Sequence, residues 1–452
     1  MIRTPAETRR EPFRKWRPTT LALALLLAPA ASAWAQSLME VYETARSYDA
    51  GYLAAVAQAR SVEYQARQSD ALRLPTVGLQ GNVTRQRYDI EALDNTQSNT
   101  QKQIALQATQ PIFNAANTAT INQAEQSLIA AQADLQIAEQ DLMVRTAQAY
   151  FDVLAAQDAL AAAQANKAAI SEQLASAKRN FEVGNATITD TREAQARFDL
   201  ATAQEIAATN DLMTRRAALD QLVGRPGIEP RPLMAPVTLP QLTPGRLEDW
   251  VTQGYDSPNV RRAQVALEVA RYETDKARAG HLPTVDLVGT LSRTDNSAGS
   301  LGLGQVQGKV DAASIAVQAN VPIFAGFAVQ NRVRETLALS ERAERNLDAA
   351  RRSTELATRQ AFLGVQSGLA AAQAYEAAEA STRLQVEATQ LGYRVGVRVN
   401  LDVLNAQTQL YNTQRDLSRA RYDVLVNSLR LRQTVGTLRP EDLAAVNQLL
   451  AR

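Results

Sequence analysis

Few residues of this 452-residue chain are equipped for chemistry. There is one histidine, His281, and no cysteine, so a His-based zinc site or a Ser-His-Asp arrangement has almost no material. No glycine-rich phosphate loop, metal-ligand cluster or nucleophile constellation is present, which makes an enzyme the weakest functional class and calls for no cofactor. His281 reads as a polar residue at the start of a strand. The side chains that stand out by spacing are carboxylates. "FEVGNATITD" (Phe181 to Asp190) and "YRVGVRVNLD" (Tyr393 to Asp402) each place an Asp six residues after the glycine of a Val-Gly pair. A carboxylate there can accept charge-assisted hydrogen bonds. It can also simply open a helix: Thr187, three residues before Asp190, makes a capping-box pattern, and Asn400 is placed to cap a helix with Asp402 in its first turn.

The elements that carry these carboxylates come in two copies. "LPTV" begins at Leu74 and Leu282, "PIF" at Pro111 and Pro322, and the Val-Gly pairs at Val183 and Val395. An Ala-Gln follows at Ala194 and Ala406, and a second Val-Gly at Val223 and Val435. The order is the same in both halves at a nearly constant offset, as a duplicated unit requires and a short-period solenoid does not. The expected division is a first repeat over 36–224, a Pro-rich linker over 225–245, and a second repeat over 246–452. So many prolines in the linker would interrupt any helix or ladder.

Residues 1–35 read as a secretory signal: five basic residues from Arg9 to Arg17 precede the apolar run "LALALLLAPAA" and the small-residue site "AWA". An uncleaved anchor is the alternative, but the apolar run is short for a membrane span. Removing this segment takes the formal net charge from +1 to −3. A basic nucleic-acid binder is therefore not indicated.

Within each half the hydrophobic period switches. Ile121, Leu128, Leu135, Leu142 and Ala149 recur every seven residues, a coiled-coil seam. This predicts a helix from Asn114 to Glu182, roughly 100 Å long at 1.5 Å per residue. A counterpart is expected from Ala325 to Arg394, with a less regular seam that has Ser340 and Thr354 at equivalent positions. Shorter helices are expected before each "LPTV" and after each Val-Gly. Between "LPTV" and "PIF" the pattern becomes two-fold: Val77, Leu79 and Val83; Ile104, Leu106 and Ala108; Val285, Leu287 and Leu291; Ile315, Val317 and Val321. Four strands are predicted, apolar on one face and polar on the other, with loops over about 88–102 and 294–312.

Such strands fit a transmembrane barrel, with Phe113 and Phe324 as interfacial aromatics. They also fit a soluble sheet with one face on a core. Four strands cannot close a membrane barrel and open edges are not tolerated in lipid, so the membrane reading requires an oligomer.

The order and spacing of these pieces, with "HLPTVDL", "GYRVG" and "LDVLNAQTQLYN", resemble the TolC family of bacterial outer-membrane efflux and secretion ducts over essentially the whole mature chain. The resemblance implies a mainly α protein with a transmembrane β-barrel, built on a duplicated plan of long helices and two strands. It implies a homotrimer, in which each subunit gives four strands to one twelve-stranded barrel continued by a periplasmic α-helical tunnel. The expected setting is the outer membrane, in contact with its lipid, with a periplasmic adaptor and an inner-membrane transporter as partners and no nucleic acid. The Val-Gly pairs then correspond to the hairpin turns at the periplasmic tip, where Gly184 and Gly396 supply unusual backbone angles. Asp190 matches an acidic residue that takes links from a Tyr and an Arg, here Tyr393 and Arg398, as an entrance latch. Asp402 matches a carboxylate that threefold symmetry turns into an acidic ring. Where the family pattern has a second carboxylate one turn later, this chain has Asn405, which puts a strongly cation-binding double ring in doubt. The competing function is a periplasmic coiled-coil adaptor or structural protein, which would have one helical hairpin flanked by small β-domains.

Overall fold

A computed structural model describes residues 35–90, 95–184, 186–297 and 307–451. The expected signal segment, apart from Ala35, lies outside these residues. The first half contains α1 (Leu38–Tyr48), α2 (Ala50–Asp70), β1 (Thr76–Ile90), β2 (Asn95–Phe113), α3 (Ala115–Glu182) and α4 (Ile188–Val223). The second contains α5 (Leu247–Gly254), α6 (Pro258–Ala279), β3 (Thr284–Asn296), β4 (Gly308–Asn320), α7 (Ala328–Arg394), α8 (Asn400–Val435) and α9 (Pro440–Asn447).

Helix α3 has 68 residues and α7 has 67, each about 100 Å of rod. Strong helix formers dominate both, with no proline inside. Asn114 starts α3 by accepting from the Asn117 N–H at 3.1 Å. Helix α7 begins three residues later than the expected Ala325. Gly326 and Phe327 have φ of 59° and 64°, left-handed values that a right-handed helix cannot include. Along the α3 seam Ile121 and Leu142 are fully buried, while Leu128, Leu135 and Ala149 are half-buried.

The four strands form one antiparallel sheet in chain order, β1-β2-β3-β4, so the two halves are joined at the β2–β3 pair. Leu79 stands opposite Leu106, Leu106 opposite Leu291, and Leu287 opposite Val317. The register therefore places most of the large apolar residues of the four strands on one face, as the alternation predicts. The strands are longer than the alternation suggests. β1 reaches Ile90, β2 starts at Asn95, β3 reaches Asn296 and β4 starts at Gly308, so much of the two expected loops is strand. The sequence there is mostly polar, and the hydrophobic period disappears although the backbone ladder continues.

The largest core lies halfway along the helical body. It gathers Leu38 and Tyr42 of α1, Leu142, Tyr150 and Phe151 of α3, Leu219 of α4, Leu425 and Leu429 of α8, and Leu443 of α9. The Pro-rich stretch 225–245 is wrapped against this core. The Arg231 N–H donates to the Tyr150 hydroxyl at 2.7 Å, that of Met234 to the Leu449 carbonyl at 2.9 Å, and that of Ala451 to the Pro232 carbonyl at 2.8 Å. Burial pushes the Tyr150 phenol far above its ordinary range, so it stays a neutral hydrogen-bonding post.

Candidate functional site

The two long hairpins reverse at one end of the helical body. Each reversal uses a left-handed glycine, Gly184 at φ 77° and Gly396 at φ 81°. No atom would meet an added Cβ at either position, so backbone angle alone selects glycine there. Gly184 donates to the Phe181 carbonyl at 3.0 Å and Gly396 to that of Tyr393 at 3.1 Å. Val397 closes the second turn by donating to the Gly392 carbonyl at 2.9 Å, completing a Schellman motif. Gly392 has a separate reason to be small: a Cβ there would lie 2.7 Å from Arg398 Cγ. The arginine stem is thus laid back over α7.

Within one chain the candidate latch residues all lie beside the two reversals but make no hydrogen bond or ion pair with one another. Asp190 is the third residue of α4 and closes a capping box, as its spacing from Thr187 predicts. Its Oδ2 accepts the Thr187 N–H at 3.0 Å and the Thr187 hydroxyl at 2.8 Å, and its own N–H donates to Thr187 Oγ1 at 3.2 Å. Oδ1 of Asp190 has no hydrogen-bond donor among the described residues. The Tyr393 hydroxyl accepts from Asn180 Nδ2 at 3.1 Å, tying α7 to α3. Arg398 lies 3.5 Å from Asp402, four residues on, and both are substantially solvent-exposed.

Asn400 does not cap α8 as its position suggests. The helix starts at Asn400 itself, with Val399 in the cap position and no side-chain cap. The Asn400 side chain is turned into the protein instead, buried and without a partner for Oδ1. Asp402 does occupy the first turn of α8, where the helix dipole favours a carboxylate. Asn405 accepts from Arg197 Nη2 at 3.1 Å and so ties α8 to α4. Gln385, Gly392, Arg398, Asp402, Asn405 and Gln409 line a cavity of about 570 Å³ between α7 and α8. Farther from the tip, Lys167 and Glu205 join α3 to α4 at 2.8 Å, and that hydrogen bond holds the Glu205 carboxyl below its usual range. Among the described residues, no group of His, Cys, Asp or Glu is placed to hold a metal ion.

Two further surfaces lack partners within the chain. The sheet exposes Val77, Leu79, Val83, Ile104, Leu106, Leu291 and Ile315 on its apolar face, and the outer edges of β1 and β4 are open. Phe113 and Phe324 are exposed where the sheet meets the helices, with Phe324 edge-on to Phe327 at 5.6 Å between ring centres. The second surface is a stripe along α7. Leu356, Leu363, Leu384 and Leu391 are each 55–66 % exposed. Ala370 and Ala377 fill the intervening heptad positions and are also exposed. Thr354, on the irregular seam, is buried within the chain. The regular heptad of α7 therefore runs on a different face from the one traced by equivalence with α3, and the seven-residue spacing from Leu356 is the signal that reveals it. Asn180 and Arg197, which hold the tip, have no comparable pattern.

The outer membrane efflux protein family model matches residues 41–225 and 255–437. The outer membrane protein TolC of Vibrio cholerae is 31% identical over 418 residues, covering 92% of this chain and 94% of that protein. The alkaline protease secretion protein AprF of Pseudomonas aeruginosa is 36% identical over 310 residues, covering 68% of this chain and 64% of the relative. Among solved structures, the outer membrane protein VceC of Vibrio cholerae superposes with a TM-score of 0.76 at 20% identity, covering 88% of this chain and 96% of that one. That likeness concerns the fold. Two matched segments, one in each half of a chain with this sheet and these paired hairpins, place it in a single group: the chain belongs to the outer membrane efflux protein family.

Proposed function

We propose that the chain works as a trimeric exit duct in the outer membrane, for efflux or for protein secretion, fed by an inner-membrane transporter through a periplasmic adaptor. The carrying observation is the four-stranded sheet with an apolar outer face and two open edges. In lipid such a sheet is stable only when its edges are closed by copies of itself. The exposed heptad stripe of α7 supports the same assembly, because a seam of this kind is buried by packing against another helix. Relatives that include a protease secretion protein support the export reading.

At the tip we propose a latch that is completed in the assembly. Asp190 Oδ1 is the open acceptor, and Arg398 and the Tyr393 hydroxyl are the donors. Asp402 supplies one carboxylate per subunit to an acidic ring, and Asn405, held by Arg197, adds no charge to it. Native mass measurement of the full-length protein in mild detergent tests the assembly. A trimer is expected for the wild type and reduced trimer yield for Leu384→Asp. A stable monomer extracted from the outer membrane sinks the duct.

A further inference from the structure

Charge on the sheet is sorted by face. Residues paired directly across all four strands, on the face that carries the exposed leucines, form successive lines. Two adjacent lines are apolar: Val77, Ala108, Gly289 and Ile315, then Leu79, Leu106, Leu291 and Ala313. The next line is Gly81, Ile104, Arg293 and Asp311, and the one after it Val83, Lys102, Asp295 and Lys309. Arg85 and Arg87 continue the same face of β1, opposite Thr100 and Ser98. The interleaved lines on the other face carry Asn82, Gln103 and Thr294, then Thr84, Gln101 and Asn296, with no charged side chain. Strand alternation thus turns five described cations and two carboxylates toward the bilayer side and none toward the channel side at that level.

This belt lies at the end of the sheet remote from the helices, which join it at Thr76, Phe113, Thr284 and Asn320. In an outer-membrane protein whose helical body extends into the periplasm, that end meets the outer leaflet. Arg293 is two residues beyond Leu291, about 7 Å along the strand, so its stem can lie on the apolar face while the guanidinium reaches the headgroups. Arg293 is held by Asp311 through two hydrogen bonds of 2.6 and 2.7 Å. Arg85, Arg87, Lys102 and Lys309 make no ion pair with a described residue. Five cations against two carboxylates, Asp295 and Asp311, leave an excess of positive charge on a lipid-facing surface beside the apolar lines, and that excess calls for anions supplied by the membrane.

We propose that this belt binds the phosphate groups of an anionic glycolipid in the outer leaflet, with Arg85, Lys102 and Lys309 as the cations outside any close ion pair and Arg293 as the fixed one. Guanidinium and ammonium groups on one rigid ladder suit a headgroup that carries more than one phosphate. The inference rests on the outer-membrane placement and on the orientation of the sheet. Three copies per trimer would make a continuous basic collar.

The test is native mass measurement of the detergent-extracted full-length protein titrated with diphosphorylated lipid A, dephosphorylated lipid A or inorganic phosphate. The diphosphorylated lipid is expected to bind at least about tenfold more tightly than the dephosphorylated one. The triple variant Arg85→Gln, Lys102→Gln, Lys309→Gln should lose at least about tenfold in that affinity with the trimer intact. Inorganic phosphate at equal concentration should not compete. Equal affinity for the two lipids, full binding by the triple variant, or equally strong competition by free phosphate would each overturn the proposal. If the triple variant fails to assemble, Lys102→Gln alone decides, with about a threefold loss expected and an unchanged affinity counting against the belt. The mass readout reports assembly separately, so lost lipid binding in an intact trimer bears on the belt and not on the duct.

Discussion

Helices α3, α4 and α8 pass through two regions of the molecule and are held differently in each. Midway along the body they meet a dense core: Phe151 stacks on Tyr422 with ring centres 5.6 Å apart, and Tyr150 sits edge-on to Phe151 at 5.5 Å. The Val-Gly pairs that end α4 and α8 belong to this region, and a side chain at Gly224 or Gly436 would overlap Tyr48 or Pro258. Toward the tip the core shrinks to Ile170, Leu174, Ala177, Ala194, Ala201 and Leu404, with Phe198 against it. The turns there have open space around their glycines, and single polar links such as Asn180 to Tyr393 join the hairpins. The tip is therefore the end with the lower cost of moving. Local opening is cheapest where few apolar groups are buried and exposed polar contacts do the holding.

The contrast breaks if the two regions respond alike. Phe151→Ala should cost about 3–5 kcal/mol through the cavity it leaves, whereas Phe198→Ala, near the tip and only partly buried, should cost clearly less. Thermal unfolding followed by circular dichroism compares them, and equal losses would remove the distinction. The sheet offers the next largest effect. Leu106→Arg and Leu287→Arg place a charge on the lipid face at a cost of about 2–4 kcal/mol, while Gln107→Arg points to the channel side and should assemble nearly normally. Equal trimer yields for all three would mean that the faces are misassigned.

At the tip, Arg398→Ser with Tyr393→Phe should raise the conductance of purified trimers in planar bilayers while changing overall stability by no more than about 0.5 kcal/mol. Asp402→Ala should lower cation preference without opening the path. Unchanged conductance in the first or unchanged selectivity in the second would refute the latch or the ring respectively. The smallest effect is acid sensitivity in the midbody. Asp49 caps α2 through the Tyr52 N–H at 2.7 Å and bonds Arg145 at 3.1 Å, and the Arg145 hydrogen bond holds its carboxyl below the usual range. A depressed carboxyl stabilises the fold fully above the ordinary aspartate value of about 4. That contribution fades as pH falls through the folded value. Asp49→Asn, which keeps a capping side chain, should flatten acid unfolding in this window; an unchanged acid profile would show that the pair contributes nothing.

Much of the architecture is legible in the sequence because it rests on local rules. Glycine after a long alanine- and glutamine-rich run marks a helix end, and Gly184 and Gly396 do adopt left-handed angles there. Alternation assigns the sheet faces correctly, since a period of two leaves no freedom once Leu79, Leu106 and Leu291 are paired. What escapes is set by partners elsewhere. The strand extensions over 85–90 and 95–101 lack a hydrophobic alternation in sequence and look like loop. Asn400 has the right type for a cap, yet the backbone of Val399 takes that position and leaves the asparagine buried. The spacing of Asp190 from Thr187 fits a cap as well as a latch carboxylate; within one chain Asp190 caps, while one carboxylate oxygen is left open.

The joining of the two halves at β2–β3 has a consequence for the order of events during biosynthesis. The Thr100 N–H donates to Ser297 Oγ across 197 positions of chain, and Leu106 waits for Leu291. Contacts of such separation form late. Until the second half has been made, the first possesses only a two-stranded hairpin, which is marginal in water and inadmissible in lipid because of its open edges. A partly synthesised chain therefore has nothing with which to enter a bilayer during export. The strand order makes both halves necessary for the four-stranded sheet, and that sheet in turn needs its copies to close its edges before lipid admits it.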